Sequence, residues 1–407
     1  MCHRALVIGA MLIAWQFGLA VPGSQSSTLS NAADVRLALP PVIYGTPGIE
    51  ANIYFENVCL ILNAANYAFD VTCDKGLQLQ DRWVFTPRKE EAGEFPFHLA
   101  IRNSSNEIVA QASSLIRVIP RSSAPEREVS LLLVGASLTQ YSIYPQHLLN
   151  LAADDPGMNL RLVGSRGVNN KPAEGPLRHE GYSGWTAEAF ATLHGPMSRS
   201  GVLVRPDPGS PFMYETDSGD RVLDFQRYCD EFNQGQAPDL ITIQLGTNDI
   251  FRETDATIEQ RVERTLEYFD QLIEMIRKVS SGTKIGLVLV APASRSQDGF
   301  RNYAGSRKQT AWQYRRYHHR LIERMIEHYS DRTDEKIYLV PVNVNLDVDG
   351  HYPTRNEPRN ARSSERVVRV SNGTHPSDEG YRQIGDTIYA WIVAATQPLD
   401  ASHQHKP

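Results

Sequence analysis

The sequence predicts a three-layer α/β/α sandwich built on a mainly parallel five-stranded sheet, preceded by a small all-β sandwich. Two observations carry this. Over the first third of the chain apolar residues alternate with a period of two, as in sheets with one buried face. Further on, short runs of branched apolar residues are separated by segments whose apolar positions recur every three or four residues, the texture of βαβ crossovers. A stretch rich in Ser, Pro and Arg, residues 120–126, separates the two textures and reads as a linker. With 407 residues the chain is long enough to bury two cores.

The chain begins with a targeting segment. His3 and Arg4 precede an apolar run over residues 5–20, with small residues Gly18 and Ala20 near its end, so residues 1–23 read as a signal peptide and the protein as secreted or periplasmic. The run falls short of the ~20 residues that span a bilayer and contains Gln16, so no stable membrane insertion is expected after cleavage; an uncleaved anchor is the alternative. A small, polar tether covers residues 24–34.

The all-β domain is expected over residues 39–120. Ile53 and Phe55 lead in one phase toward Cys59, Phe69, Val71 and Cys73 alternate, and so do Phe95, Phe97, Leu99 and Ile101, with Asn103-Ser104-Ser105-Asn106 as a turn. In an oxidising compartment Cys59 and Cys73 are either bridged or two small buried hydrophobes. Tyr54, Tyr67 and Trp83 are either a sugar-binding face or ordinary core and sheet surface.

The α/β domain is expected over residues 128–396. Its strands read as residues 129–134, 160–163, 240–245, 285–290 and 337–340. Helices are expected at residues 145–153, through Ile258, Val262, Leu266, Phe269, Ile273 and Ile276, and through Tyr381, Ile384, Ile388 and Trp391. Cys229, flanked by Phe225 and Phe232, reads as helix core. Lys plus Arg number 41 against 47 Asp plus Glu, with no long basic block, so nucleic acid is not an expected partner. Three scattered thiols do not form a metal site, and no cofactor is implied.

Four stretches then fall at strand ends or just before helices, where open parallel sheets place their chemistry. Residues 131–139, Leu-Leu-Leu-Val-Gly-Ala-Ser-Leu-Thr, deliver the Ser137 hydroxyl from the end of a buried strand. Residues 179–186 form a glycine-bracketed loop, residues 246–249 read Gly-Thr-Asn-Asp, and residues 372–376 read Asn-Gly-Thr-His-Pro before the last helix. In this order the set resembles the SGNH hydrolases, also called the GDSL esterase and lipase superfamily, over residues 128–396. The resemblance implies a flavodoxin-like sheet. The wording Glu180-Gly181-Tyr182-Ser183-Gly184-Trp185-Thr186 is similar to secreted carbohydrate acetylesterases, some of which carry an N-terminal β-sandwich.

The resemblance implies Ser137 as nucleophile, His375 as general base, and the Gly184 N–H and Asn248 amide as oxyanion donors together with the N–H of Ser137. The chemistry asks for such groups. A serine hydroxyl needs a base within hydrogen-bond reach, and the tetrahedral oxyanion needs donors already in place. Asp249 reads as structural, holding the turn after its strand. Two positions depart from the family pattern. Ala136 stands where an aspartate is common, which leaves the mechanism intact. Asn372 stands where an aspartate usually completes the triad, so its amide oxygen is expected to accept from His375 Nδ1–H, with Asp347 or Asp349 as substitutes. Long connections at residues 165–181, 195–222 and 347–371 are expected to wall the cleft with Tyr182, Trp185, Phe212, Tyr214 and Tyr352, and to bring Arg295, Arg355 and Arg359 to its rim. The expected protein is a secreted serine esterase that removes acetyl groups from a polysaccharide or oligosaccharide. A lysophospholipase, thioesterase or aryl esterase on the same scaffold and a non-catalytic glycan-binding relative are the alternatives.

Overall fold

The structure, a computed structural model, describes residues 35–121, 128–168, 171–194, 198–199, 202–203, 209–303 and 309–397. The expected signal peptide and tether lie outside the described residues, as does most of the expected linker. No described helix is long and apolar enough to cross a membrane.

Among the described residues, nine strands make the N-terminal part: β1 (Arg36–Leu37), β2 (Val42–Gly45), β3 (Ala51–Tyr54), β4 (Cys59–Leu60), β5 (Ala68–Thr72), β6 (Leu77–Gln78), β7 (Arg82–Phe85), β8 (Gly93–Arg102) and β9 (Ile108–Val118). One sheet runs β2-β9-β8-β5, with β2 parallel to β9 and the other neighbours antiparallel; the second runs β3-β7-β6 and is antiparallel. Their inner faces meet through Ile53, Trp83, Phe85, Phe97, Leu99, Ile116 and Val118. Trp83 is only 1% exposed and packs edge-on against Phe97, while its indole N–H donates to Lys75 O at 2.9 Å. It is therefore core, not a sugar-binding plate.

Two details of the expected pattern change. The phase from Ile53 does not run through to Cys59, because the chain makes one helical turn, α1 (Phe55–Val58), before β4 pairs with β1. The turn buries Phe55 and Val58 together, which a continued strand would have put on opposite faces. The thiols of Cys59 and Cys73 are both free. Cys59 packs with Ile61 and Ile101 while Cys73 leans on a different cluster, and burial pushes the Cys59 thiol up to about 12.

The second part follows as β10 (Val129–Gly135), α2 (Ser137–Gln140), α3 (Ile143–Ala153), β11 (Leu160–Val163), β12 (Glu180–Gly181) and α4 (Ala187–Thr192). Two small antiparallel pairs come next, β13 (Ser198–Arg199) with β14 (Val202–Leu203) and β15 (Met213–Glu215) with β16 (Arg221–Leu223). Then come α5 (Phe225–Phe232), β17 (Leu240–Gln244), α6 (Thr247–Ile250), α7 (Ile258–Val279), β18 (Lys284–Val288) and α8 (Ala311–Tyr329). The described residues end with β19 (Ile337–Val340), α9 (Val342–Asn345), the hairpin β20 (Thr354–Pro358) and β21 (Arg366–Val370), and α10 (Asp378–Thr396).

The sheet order is β11-β10-β17-β18-β19, every neighbour parallel, with β12 added beside the end of β10. Every residue of β10 is buried, as a strand covered on both faces must be. Leu132 and Val134 point into the layer of α4, α5, α7 and α8, while Leu131 and Leu133 point toward α3 and α10. Opening either layer is costly: Ile388 of α10 is fully buried, and Ile→Ala at such a site loses about 2–5 kcal/mol.

The two parts interlock. The Asn52 N–H and Nδ2 donate to Asn345 Oδ1 at 2.8 and 3.1 Å, and Arg315 of α8 donates to the carbonyls of Glu56 and Cys59 at 2.7 and 2.9 Å. Val344 completes the sandwich core, while Tyr44 and Ile49 join the core beneath α10.

Candidate active site

β10 ends in Gly135, and α2 begins two residues later at Ser137, so the serine stands at a strand-to-helix corner. A Cβ on Gly135 would collide with Thr139 Oγ1, so the corner closes this tightly only without a side chain there. The 180–184 loop is fastened to the corner at several points. Tyr182 N–H donates to Gly135 O at 3.0 Å and Ser183 N–H donates to Gln140 Oε1 at 2.6 Å. Buried His179 accepts at Nδ1 from Gly181 N–H at 3.1 Å, which leaves its Nε2–H to donate to Ser142 Oγ at 2.9 Å. Burial lowers the His179 pKa to about 4, so this clamp is neutral.

Beneath the loop lies a carboxylate without a surface. Glu180 is 0% exposed and accepts from Ser165 N–H and Oγ–H at 2.6 and 2.9 Å, from Tyr182 O–H at 2.7 Å and from Tyr228 O–H at 2.8 Å. Desolvation raises its pKa against those bonds. Tyr182 stacks on Trp185 at 4.4 Å, and Phe190, Phe212, Phe225 and Tyr228 continue the ladder. Tyr182, Trp185, Phe212 and Tyr352 are each 3% exposed or less. The expectation that they wall a cleft is therefore corrected: they fill the core under the long loops, because rings of this area contribute more when removed from water. Tyr214 is half-buried beneath Arg227, and part of the 195–222 connection lies outside the described residues. The arginines are paired, Arg355 with Glu357, Arg359 with Glu365, and Arg295 with Glu56 and Asp349.

Gly184 has φ +81°, a conformation that favours glycine. Its N–H and that of Ser137 take no partner among the described residues. Asn248, on α6 after β17, donates through Nδ2 to Trp185 O at 2.9 Å. One amide hydrogen is thereby fixed on the loop and the second is left for the cavity. Asp249 holds more than its own turn. It is buried and accepts from Ala187 N–H at 3.0 and 3.1 Å, tying the start of α4 to α6, and burial pushes its pKa up to about 6.

His375 arrives from the loop before α10. Its Nε2 lies 2.9 Å from Ser137 Oγ, and the Tyr141 ring packs edge-on against the imidazole at 5.3 Å. Desolvation lowers its pKa to about 4.

On the far side of the ring the structure departs from expectation. Asn372 Oδ1 already accepts from Thr374 N–H at 3.0 Å, His375 N–H at 3.1 Å and Thr374 Oγ1–H at 3.2 Å. Those backbone donors fix which end of the amide is oxygen, so it is Asn372 Nδ2 that faces His375 Nδ1, at 3.3 Å. An amide nitrogen cannot accept a proton. In the tautomer with Nε2 as the acceptor toward Ser137 Oγ, Nδ1–H donates to Thr374 Oγ1 at 3.2 Å, whose own O–H runs on to Asn372 Oδ1. Neither substitute carboxylate takes part: Asp347 accepts from Asp349 N–H and Gly350 N–H, and Asp349 pairs with Arg295. Among the described residues no carboxylate hydrogen-bonds His375.

Ser137, Gly184, Asn248, Thr374 and His375 line one cavity of about 200 Å³. Its remaining wall is mostly apolar, from Leu138, Leu245, Phe251, Val290 and Tyr314. The roles of Thr374, Tyr141 and Gln140 were missed by sequence reasoning. A hydroxyl between an asparagine and a histidine was the available signal for the first; the others depend on contacts across the fold.

Solved structures similar to this chain include a family 3 carbohydrate esterase of Clostridium thermocellum, 17% identical, covering 66% of this chain and 98% of that one with a TM-score of 0.36. A carbohydrate acetylesterase family member from Sinorhizobium meliloti is 14% identical, with 66% and 98% covered and a TM-score of 0.38. A protein of Streptococcus pneumonia described as a putative platelet activating factor is 14% identical, with 65% and 84% covered and a TM-score of 0.36. Comparison with curated proteins gives no match. The model of the GDSL-like lipase/acylhydrolase family matches residues 134–388, which spans the corner at Ser137, the loops of Gly184 and Asn248 and the loop of His375. The chain therefore belongs to the GDSL-like lipase/acylhydrolase family.

Proposed function

We propose that the protein is a secreted serine esterase that removes acetyl groups from a polysaccharide or oligosaccharide. The observation that carries this reading is the 2.9 Å contact between Ser137 Oγ and His375 Nε2, inside a cavity that also holds Gly184 and Asn248. His375 Nε2 takes the Ser137 proton as Oγ adds to the ester carbonyl. The carbonyl oxygen becomes an oxyanion facing the N–H groups of Ser137 and Gly184 and the second amide hydrogen of Asn248. His375 then gives its proton to the departing sugar oxygen, leaving an acyl-Ser137 ester. In the second half His375 draws a proton from water, the hydroxyl adds to the acyl carbon, and Ser137 leaves with the proton returned.

Desolvation keeps His375 unprotonated over the neutral range, so it is available to accept the serine proton, though as a weaker base than an ordinary imidazole. The cavity of about 200 Å³, lined on its apolar side by Phe251 and Tyr314 among others, suits a short acyl group rather than a long lipid chain. Secretion rests on the sequence of residues 1–23 alone.

The test is acetate release from a panel of acetylated polysaccharides, with p-nitrophenyl esters of graded chain length beside it. Release by the wild type and none by Ser137→Ala supports the reading. Preference for octanoate over acetate would favour the lysophospholipase alternative. Glycan binding without turnover would leave only a binding protein.

A further inference from the structure

A second cavity, of about 440 Å³, opens where the β-sandwich meets the α/β domain. Its ring-bearing walls are Tyr67 and Phe69 from the sandwich, both half-buried, with buried Phe55 behind Phe69 and with Gln80, Asn63 and Arg295 among the polar groups around them. Phe55 and Phe69 stack at 5.0 Å, and Leu62 at the rim is 82% exposed. Among the described residues it is the most exposed of the large apolar side chains. Rings beneath a rim of amides and hydroxyl-bonding groups offer what a sugar ring needs: a flat apolar face for its C–H side and partners for its hydroxyls.

The charges at this groove are already matched. Arg295 is held by Glu56 at 2.6 Å and by Asp349 at 3.0 Å, and Asp81 by Arg82 at 3.1 Å. No cation is left over among these groups to favour an acidic glycan.

The groove is joined to the catalytic loop on two sides. Ser294 N–H, next to Arg295, donates to Gly373 O at 3.0 Å, and Ser377 N–H donates to His351 O at 2.9 Å, three residues on from the groove-lining Val348. Ala291 lines the cavity of Ser137 and Arg295 lines the groove, and four residues of chain reach no further than about 14 Å.

We propose that this groove is a subsite for a neutral glycan chain, so that a polymer bound across the domain junction presents its ester to Ser137. The proposal deepens the esterase reading and rests on it for the identity of the ester. It gives the N-terminal sandwich a part in recognition that a small acyl ester does not call on.

The experiment compares p-nitrophenyl acetate with acetylated xylan and acetylated glucomannan for the wild type, Tyr67→Ala and Leu62→Ser. Leu62 is at the surface, so its variant keeps the test open should Tyr67→Ala fold poorly. The expected result is unchanged turnover of p-nitrophenyl acetate and a KM for the polymers about fivefold to tenfold higher at unchanged kcat, the signature of lost ground-state binding. Equal effects on small ester and polymer, or none on either, would overturn the proposal. So would a Tyr67-dependent preference for acetylated pectin, an acidic chain. In parallel, Ser137→Ala protein is titrated with deacetylated xylan, with and without Tyr67→Ala. Tyr67-dependent binding there supports the groove even if the wild type turns over no ester, in which case the esterase reading alone fails.

Discussion

Replacing Asn372 with aspartate tests the unusual side of the histidine. The substitution keeps Oδ1, which accepts the N–H groups of Thr374 and His375, and exchanges only the amide nitrogen that faces His375 Nδ1 at 3.3 Å. A donor pointed at a ring nitrogen thus becomes a charged acceptor. At that separation a carboxylate and an imidazolium attract by about 5 kcal/mol at an effective dielectric of 20 and about 1.3 kcal/mol in water. The site is half-buried, so part of the gain is offset by desolvating the new charge. A net gain of about 1.4–2.8 kcal/mol in the imidazolium-like transition state remains, or roughly 10- to 100-fold in kcat. The reverse change in a Ser-His-Asp protease costs about 10⁴, which sets the ceiling. The same charge must also raise the pKa of His375, which desolvation now lowers to about 4. The assay is kcat and kcat/KM for p-nitrophenyl acetate from pH 3 to 9. For Asn372→Asp the acidic limb should move upward and the plateau should rise. An unmoved limb and an unmoved plateau, in a protein with unchanged thermal stability, would refute the account of Nδ1.

The same account predicts that Thr374→Val, which removes the hydroxyl accepting from Nδ1–H, lowers kcat about tenfold, and that Asn372→Asp restores it; steady-state kinetics on the double variant decides. For Asn248→Ala, kcat should fall by about 10²–10³ with KM little changed, and a loss confined to KM would remove the residue from the oxyanion site. In the wild type, kcat/KM should fall only as pH drops through about 4, because the imidazole stays neutral above that value; a limb near the ordinary histidine pKa would contradict it. Stability should also respond to acid. His179 and His375 are lowered to about 4 and His318 to about 3, all by burial, so the unfolded chain binds protons first. Thermal midpoints should therefore decline as pH falls below about 6.5 and keep declining through the folded values, and a flat profile there would show these histidines to be solvated.

Particular elements mark the limits of the sequence. The parallel strands were legible because their runs are short and rich in branched apolar residues, most fully in β10, which is buried on both faces, and α7 and α10 because their apolar positions recur at helical spacing. The helix α8 was not singled out, since Arg, His and Tyr crowd Leu321, Ile322 and Met325 and blunt the contrast between its faces. Tyr182, Trp185 and Phe212 were placed in loops correctly and on the wrong side of them, because loop membership does not say which way a ring turns.

Ser137, Gly184, Asn248 and His375 could be picked out from the chain because each sits in a short local motif whose backbone demands are written in neighbouring residues. That they share one cavity, with serine and histidine 2.9 Å apart, was decided only by the packing of β10, β17 and α10. The orientation of Asn372 was decided there too. An amide has two ends of nearly equal shape and opposite hydrogen-bonding sense, and only the donors around it, the N–H groups of Thr374 and His375, settle which end the imidazole meets.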